Sequence, residues 1–149
     1  MSRHWQLIFI CLLVLWPDFS FADQLVFRAT DTHGKPLAGN TVIATWLYAE
    51  GRKERVEMKT DPNGEARIVV PSQVPTQVTI SVVPKVGQHW RCNWRGTCGI
   101  SIAPVDAFRN GIAFYEMQKR ASLKATPGQI LFIARPWTLW QYLIGPLAS

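Results

Sequence analysis

Residues 60–70 read "TDPNGEARIVV", and the reading of this stretch decides the fold. Pro62 presets φ for the second position of a turn, and Gly64 accepts a positive φ without steric cost. Beyond the turn Ala66, Ile68 and Val70 alternate with Glu65, Arg67 and Val69; before it Val56, Met58 and Thr60 recur at the same interval. A period of two marks a strand with one face turned to a core. The stretch predicts two short strands about a tight turn.

The same grammar extends outward. "QLVFRAT" (24–30) sets Leu25, Phe27 and Ala29 against Val26, Arg28 and Thr30. A loop dense in Gly, Pro and Asn, "DTHGKPLAGN", leads into "TVIATWLYA" (41–49), whose β-branched and aromatic residues suit a pleated surface. "EGRKER" (50–55) reads as a charged turn. "QVTISVV" (77–83) puts Val78, Ile80 and Val82 on one face. Further on, "CGISIA" reads as a strand, and "VDAFRNGIAFYEMQKRA" as a helical turn followed by an extended "IAFYEM". "SLKA", the turn "TPGQ" and "ILFIA" read as a closing hairpin. Short strands at roughly ten-residue intervals predict an all-β, antiparallel β-sandwich.

Two pieces of this pattern carry a resemblance. Gly34-Lys35-Pro36-Leu37-Ala38-Gly39, then Val42, then Thr60-Asp61-Pro62-Asn63-Gly64-Glu65-Ala66-Arg67-Ile68 resembles the signature of carboxypeptidase regulatory-like (prealbumin-like) domains. It is also similar to bacterial Ig-like domains of the invasin type. The resemblance spans about residues 24–83. It implies an Ig-like sandwich of about seven strands in which Gly and Pro shape a first hairpin and Asp-x-x-Gly a second. Members of these families are mostly accessory or adhesive modules, so it implies binding rather than catalysis.

The chain opens "MSRHWQLIFICLLVLWPDFSFADQ": a basic start, ten uncharged apolar residues from Leu7 to Trp16, then Pro17 and small residues at Ser20 and Ala22. This predicts a secretory signal peptide over residues 1–22, cleaved after Ala22. The apolar run is half the roughly 20 residues that a membrane-spanning helix needs. Cys11 follows Phe9 and Ile10, which are too bulky for a lipobox. Removing 22 of the 149 residues leaves 127 and takes away Arg3 and Asp18, so the net charge stays +6. The expected organisation is a β-sandwich domain over 23–135 and an apolar extension over 136–149, in a periplasmic or secreted protein.

Export leaves Cys92 and Cys98 as the only cysteines, in the stretch "HWRCNWRGTC" (89–98). An even number in an oxidising compartment predicts a disulfide across five intervening residues, adding about 2 kcal/mol. Zinc would need further ligands, and only His89 is near, so no metal and no cofactor is expected. The spacing is not the CxxC of redox enzymes. Trp90-Arg91 and Trp94-Arg95 stand in this loop. They are either a cap on the open edge of the core, with Arg stacked on Trp, or a recognition surface.

No nucleophile or acid–base set stands out. Glu50, Glu54, Glu57 and Glu65 lie among Arg52, Lys53, Arg55 and Lys59 and read as a solvated hairpin face. The serines occupy no Gly-x-Ser-x-Gly setting. Transthyretin-like hydrolases share the fold but carry a histidine set and a Tyr-Arg-Gly-Ser end, which this chain lacks, so an enzyme is not expected. A pI near 9.6 favours acidic partners. Export argues against nucleic acid and leaves an envelope protein, an anionic glycan or a membrane surface.

The C-terminus "RPWTLWQYLIGPLAS" is unusually apolar. On a helix Trp137, Trp140, Leu143 and Ile144 would form one stripe with Tyr142 beside it. The stripe could lie on its own sandwich, on a partner or at a membrane interface. The expected function is binding to an envelope protein through Trp90, Arg91, Trp94, Arg95, Trp137, Trp140 and Tyr142. The alternative is a glycan or small-ligand site with Trp90, Trp94, Trp46 and Tyr48 as stacking platforms.

Overall fold

The structure is a computed structural model, and it describes residues 24–91, 98–116, 119–120, 124–137 and 143. Strands β1 (Gln24–Asp31), β2 (Thr41–Leu47), β3 (Lys53–Lys59), β4 (Glu65–Val69), β5 (Gln77–Val83) and β6 (Cys98–Ile102) precede a short helix, α1 (Pro104–Asn110). β7 (Ile112–Glu116), β8 (Lys119–Arg120) and β9 (Gln129–Ala134) follow it. Two sheets face each other, one ordered β4-β1-β9-β7-β8 and the other β3-β2-β5-β6. The expected β-sandwich is present.

The alternation read from sequence sets the inward faces. Leu25, Phe27 and Ala29 of β1, Val78, Ile80 and Val82 of β5, and Ala66 and Ile68 of β4 are buried between the sheets. Trp46, near the end of β2, is the largest fully buried side chain among the described residues, and Phe114 and Phe132 pack with ring centroids 5.2 Å apart. Each such aliphatic or phenyl side chain contributes about 1.5–3 kcal/mol by leaving water. β3 lies at a sheet edge, where Lys53, Arg55, Glu57 and Lys59 guard unpaired backbone from edge-to-edge association. Its strand takes in residues 53–55, which the sequence reading assigned to a charged turn; exposed edge strands tolerate charge on both faces.

The topology departs from the expectation in three ways. Among the described residues there are nine strands rather than about seven, and not all pairs are antiparallel. β9 runs parallel to both β1 and β7, with Phe27 beside Ile130 and Phe114 beside Phe132. β9 is inserted between β1 and β7, and no closing hairpin is present among the described residues, which leave out Ser122 and Leu123 of "SLKA". The Asp61–Gly64 turn and the 31–40 loop do not make hairpins either. Each is an arch from one sheet to the other, because β1 and β4 pair together while β2 and β3 belong to the opposite sheet.

Both arches use one device. Asp31 Oδ1 accepts the amides of His33 (2.8 Å) and Lys35 (2.9 Å), and Asp61 Oδ1 accepts those of Asn63 and Glu65, both 2.9 Å. A glycine follows three residues later in each, Gly34 at φ 81° and Gly64 at φ 74°. Gly64 is also where the arches meet: a Cβ there would stand 2.5 Å from the Ala29 carbonyl oxygen and 2.9 Å from the Leu37 amide. Only glycine fits that conformation and that approach.

Candidate functional site

Asn40, fully buried, holds the arches and starts the path to the candidate site. Its Nδ2 donates to Leu37 O (3.0 Å), and its Oδ1 accepts Lys85 N (2.9 Å). Thr60 Oγ1 donates to the same Leu37 carbonyl at 2.8 Å and accepts Asn40 N at 3.0 Å. A buried amide with its hydrogen bonds satisfied is rigid, and losing a partner is costly. Lys85 opens the loop after β5, which turns through a Gln88 N to Lys85 O bond of 3.0 Å. That loop delivers His89, Trp90 and Arg91.

These three residues meet the start of the C-terminal extension. Arg91 N donates to Arg135 O (2.8 Å), Trp137 N to His89 O (3.2 Å), and Trp137 Nε1 to Trp90 O (2.7 Å). Trp90 and Pro136 form an antiparallel bridge. The His89 and Trp137 rings stack at 4.7 Å with a 33° tilt. Trp90 is only 7% exposed and packs on Phe132 with centroids 5.2 Å apart. Its ring therefore caps the sandwich core, one of the two roles open to it in the sequence. Arg135 stacks over Tyr115 at 4.0 Å.

The two unusual stretches of sequence thus meet along one seam. Of the residues expected at a binding surface, Trp90, Arg91 and Trp137 come together there. Trp94, Arg95, Trp140 and Tyr142 lie outside the described residues, as do Cys92 and the stretch 1–22 expected to be a signal peptide. Leu143 is described and exposed. Arg91 Nε is buried and has no hydrogen-bond partner among the described residues. Three of the four expected stacking platforms are corrected: Trp46, Tyr48 and Trp90 are buried and present no open ring face to a sugar, while Trp94 lies outside the described residues. Trp46 and Tyr48 point inward because they sit in register with Val42 and Ala44, the core-facing positions of β2.

Charge is organised elsewhere, at the end of the β2–β3 hairpin. Tyr48 donates to Glu54 Oε2 (2.8 Å), Arg52 lies 3.9 Å over the Tyr48 ring, and Arg52 pairs with Glu50 (3.2 Å) and Glu54. Desolvation, then the Glu54 hydrogen bond, pushes the Tyr48 phenol above its ordinary value. The Glu50 carboxyl is lowered, first by its own backbone amide and then by Arg52. These are exposed pairs, screened by solvent, and they contribute little to stability. Among the described residues no three His, Cys, Asp or Glu side chains gather as metal ligands. His33 is on the exposed first arch and His89 in the seam.

No protein-family model matches the chain, and no curated protein matches it in sequence.

Sequence reasoning missed Asn40 and the Asp31 arch. The signal for the arch was present: Asp31-Thr32-His33-Gly34 repeats the Asp-x-x-Gly of residues 61–64.

Proposed function

We propose that the protein is an exported, non-catalytic binding module. On this reading it is an Ig-like (prealbumin-like) sandwich that docks on an envelope protein through its cysteine loop and C-terminal extension. The seam carries the reading. Three hydrogen bonds hold residues 89–91 to 135–137, so the loop that continues at Cys92 and the tail that continues at Thr138 start from one place on the sandwich. Two apolar, tryptophan-bearing segments rooted together offer a single surface with little ordering cost.

The Cys92–Cys98 disulfide belongs to the same proposal. Cys98 Sγ lies 3.6 Å from the carbonyl oxygen of Arg91, the residue bonded to Cys92. The short closed loop would hold Trp94 and Arg95 close to the seam. The guanidinium charge of Arg91 and the +6 charge of the chain favour a partner that supplies a carboxylate. Support for the Ig-like assignment comes from the two arches and the return of β5 to β2, since the residues of the family signature shape those turns.

The test is a pull-down from envelope extract with three baits: the full chain, Arg91→Ala, and a chain ending at Trp137. All three should melt together within a few degrees. The full chain should retain a partner that the shortened chain loses and the Arg91 variant holds at least fivefold less well. Equal retention by all three baits would overturn the reading.

A further inference from the structure

A second site lies on the outer face of the five-stranded sheet, away from the core. A cleft of about 260 Å³ is lined by Arg28 and Thr30 of β1, the Asp31–Gly34 arch, and Gln129, Leu131 and Ile133 of β9. It sits on the parallel seam, where Arg28 is beside Leu131 and Thr30 beside Ile133. Three features set it apart from ordinary surface.

The first is an unspent cation. The Arg28 guanidinium makes no ion pair and no hydrogen bond with any described residue, and its Nε is buried. The second is an anion on the same wall that Arg28 does not neutralise. Asp31 spends Oδ1 on the His33 and Lys35 amides, which leaves Oδ2 without a hydrogen bond to any described residue. The Lys35 amide, followed by that of His33 and the nearby charges, holds this carboxyl below its ordinary value, so it is ionised at neutral pH. The third is the lining between them. Leu131 and Ile133 give an apolar floor, Ile133 being 3% exposed, while Gln129 turns its Oε1 to Thr126 and keeps its NH2 free.

A cleft holding opposite charges that do not pair fits a ligand that carries both. Strand geometry separates the Arg28 and Asp31 Cα atoms by about 10 Å, and the arginine side chain shortens that gap from one side. The span and the volume suit a molecule of dipeptide size. We propose that the cleft binds a small zwitterion of the free-dipeptide class, its carboxylate on Arg28, its ammonium on Asp31 and its side chain over Leu131 and Ile133. A forked guanidinium is the side chain best shaped for a carboxylate, and burial of the flanking apolar area supplies the rest of the affinity. The site uses none of the seam residues and stands independently of the binding role proposed above.

The probe is the free dipeptide Ala-Leu, titrated into isotopically labelled full-length protein and followed by amide shifts. Ala-Leu should move the amides of residues 28–34 and 129–133 with a millimolar dissociation constant, as expected for a ligand of this size. N-acetyl-Ala-Leu and Ala-Leu-amide should each bind roughly fivefold more weakly, the worth of one half-exposed ion pair. Arg28→Gln should lose the preference for a free carboxylate. Asp31→Asn keeps the Oδ1 acceptor of the arch and removes only the charge. It should weaken Ala-Leu while leaving N-acetyl-Ala-Leu unchanged. Shifts elsewhere, no shifts at about 10 mM, or equal binding of the blocked peptides would each overturn the proposal.

Discussion

Replacing Asn40 by alanine removes the one side chain that ties both arches to the loop leading into the seam. Three effects add. The Lys85 amide loses its acceptor, which costs about 1–3 kcal/mol where water does not replace it. The Leu37 carbonyl keeps the Thr60 hydroxyl at 2.8 Å but loses Nδ2, a smaller loss of about 0.5–1 kcal/mol. Three heavy atoms vanish from a fully buried position, and the cavity adds about 1 kcal/mol. The sum is about 2.5–5 kcal/mol, or a melting temperature lower by about 10–15 °C for a domain of this size. Urea titration followed by the fluorescence of buried Trp46 and Trp90 reads it directly. Asn40→Asp sharpens the test. At neutral pH it sets a carboxylate oxygen against Leu37 O and should destabilise more than alanine does. As pH falls the protonated acid can donate again, and its stability should rise above that of Asn40→Ala. A loss under 1 kcal/mol for alanine, or an aspartate variant that tracks the alanine variant at every pH, would refute the assignment of Asn40 as the central tie.

Three further outcomes follow from the same geometry. Gly64→Ala should cost about 3 kcal/mol or prevent folding, whereas Gly34→Ala, with nothing within 4 Å of the new Cβ, should cost about 1 kcal/mol; thermal melts of the two compare them. The Asp31 carboxyl is held below 3.8, so its contribution is present above that pH and lost as pH falls through the lower folded-state value; the stability gap between wild type and Asp31→Asn should narrow below pH 3.8 and stay flat above it. The exported chain should weigh two protons less under non-reducing conditions than after full reduction, and two free thiols would remove the Cys92–Cys98 clip.

What the sequence disclosed was faces, and what it withheld was partners. Period-two alternation placed Leu25, Phe27, Ile68, Val78 and Ile80 inside because each strand's inner row must leave water, a local property. Pairing is not local. The arches at Asp31 and Asp61 close like hairpins at the turn itself, with Asp61 N bonded to Glu65 O at 2.8 Å, and only the strands beyond them diverge into different sheets. No residue in the turn states that divergence. β9 did carry a hint: "ILFIA" is apolar without alternation, the mark of a strand covered on both faces and common in parallel pairing. Ile133, on the outer face, is buried accordingly. Charge misled in the other direction, since Lys53–Arg55 looked like a turn and is an edge strand.

The candidate site was legible in its parts and not in its assembly. Trp90, Arg91 and Trp137 stood out as large and oddly placed, yet 47 residues separate Trp90 from Trp137 and nothing in either segment names the other. Trp46 and Tyr48 looked equally available for stacking, and the strand register that buries them could be counted from Val42 and Ala44.

Site-specific photo-crosslinking in living cells tests the central claim most directly. A benzophenone side chain at position 91, beside the seam, should give one discrete adduct with an envelope protein. The same group at position 69, exposed on edge strand β4, should give none. Absence of an adduct at 91, or the same adduct from both positions, would contradict docking through the seam.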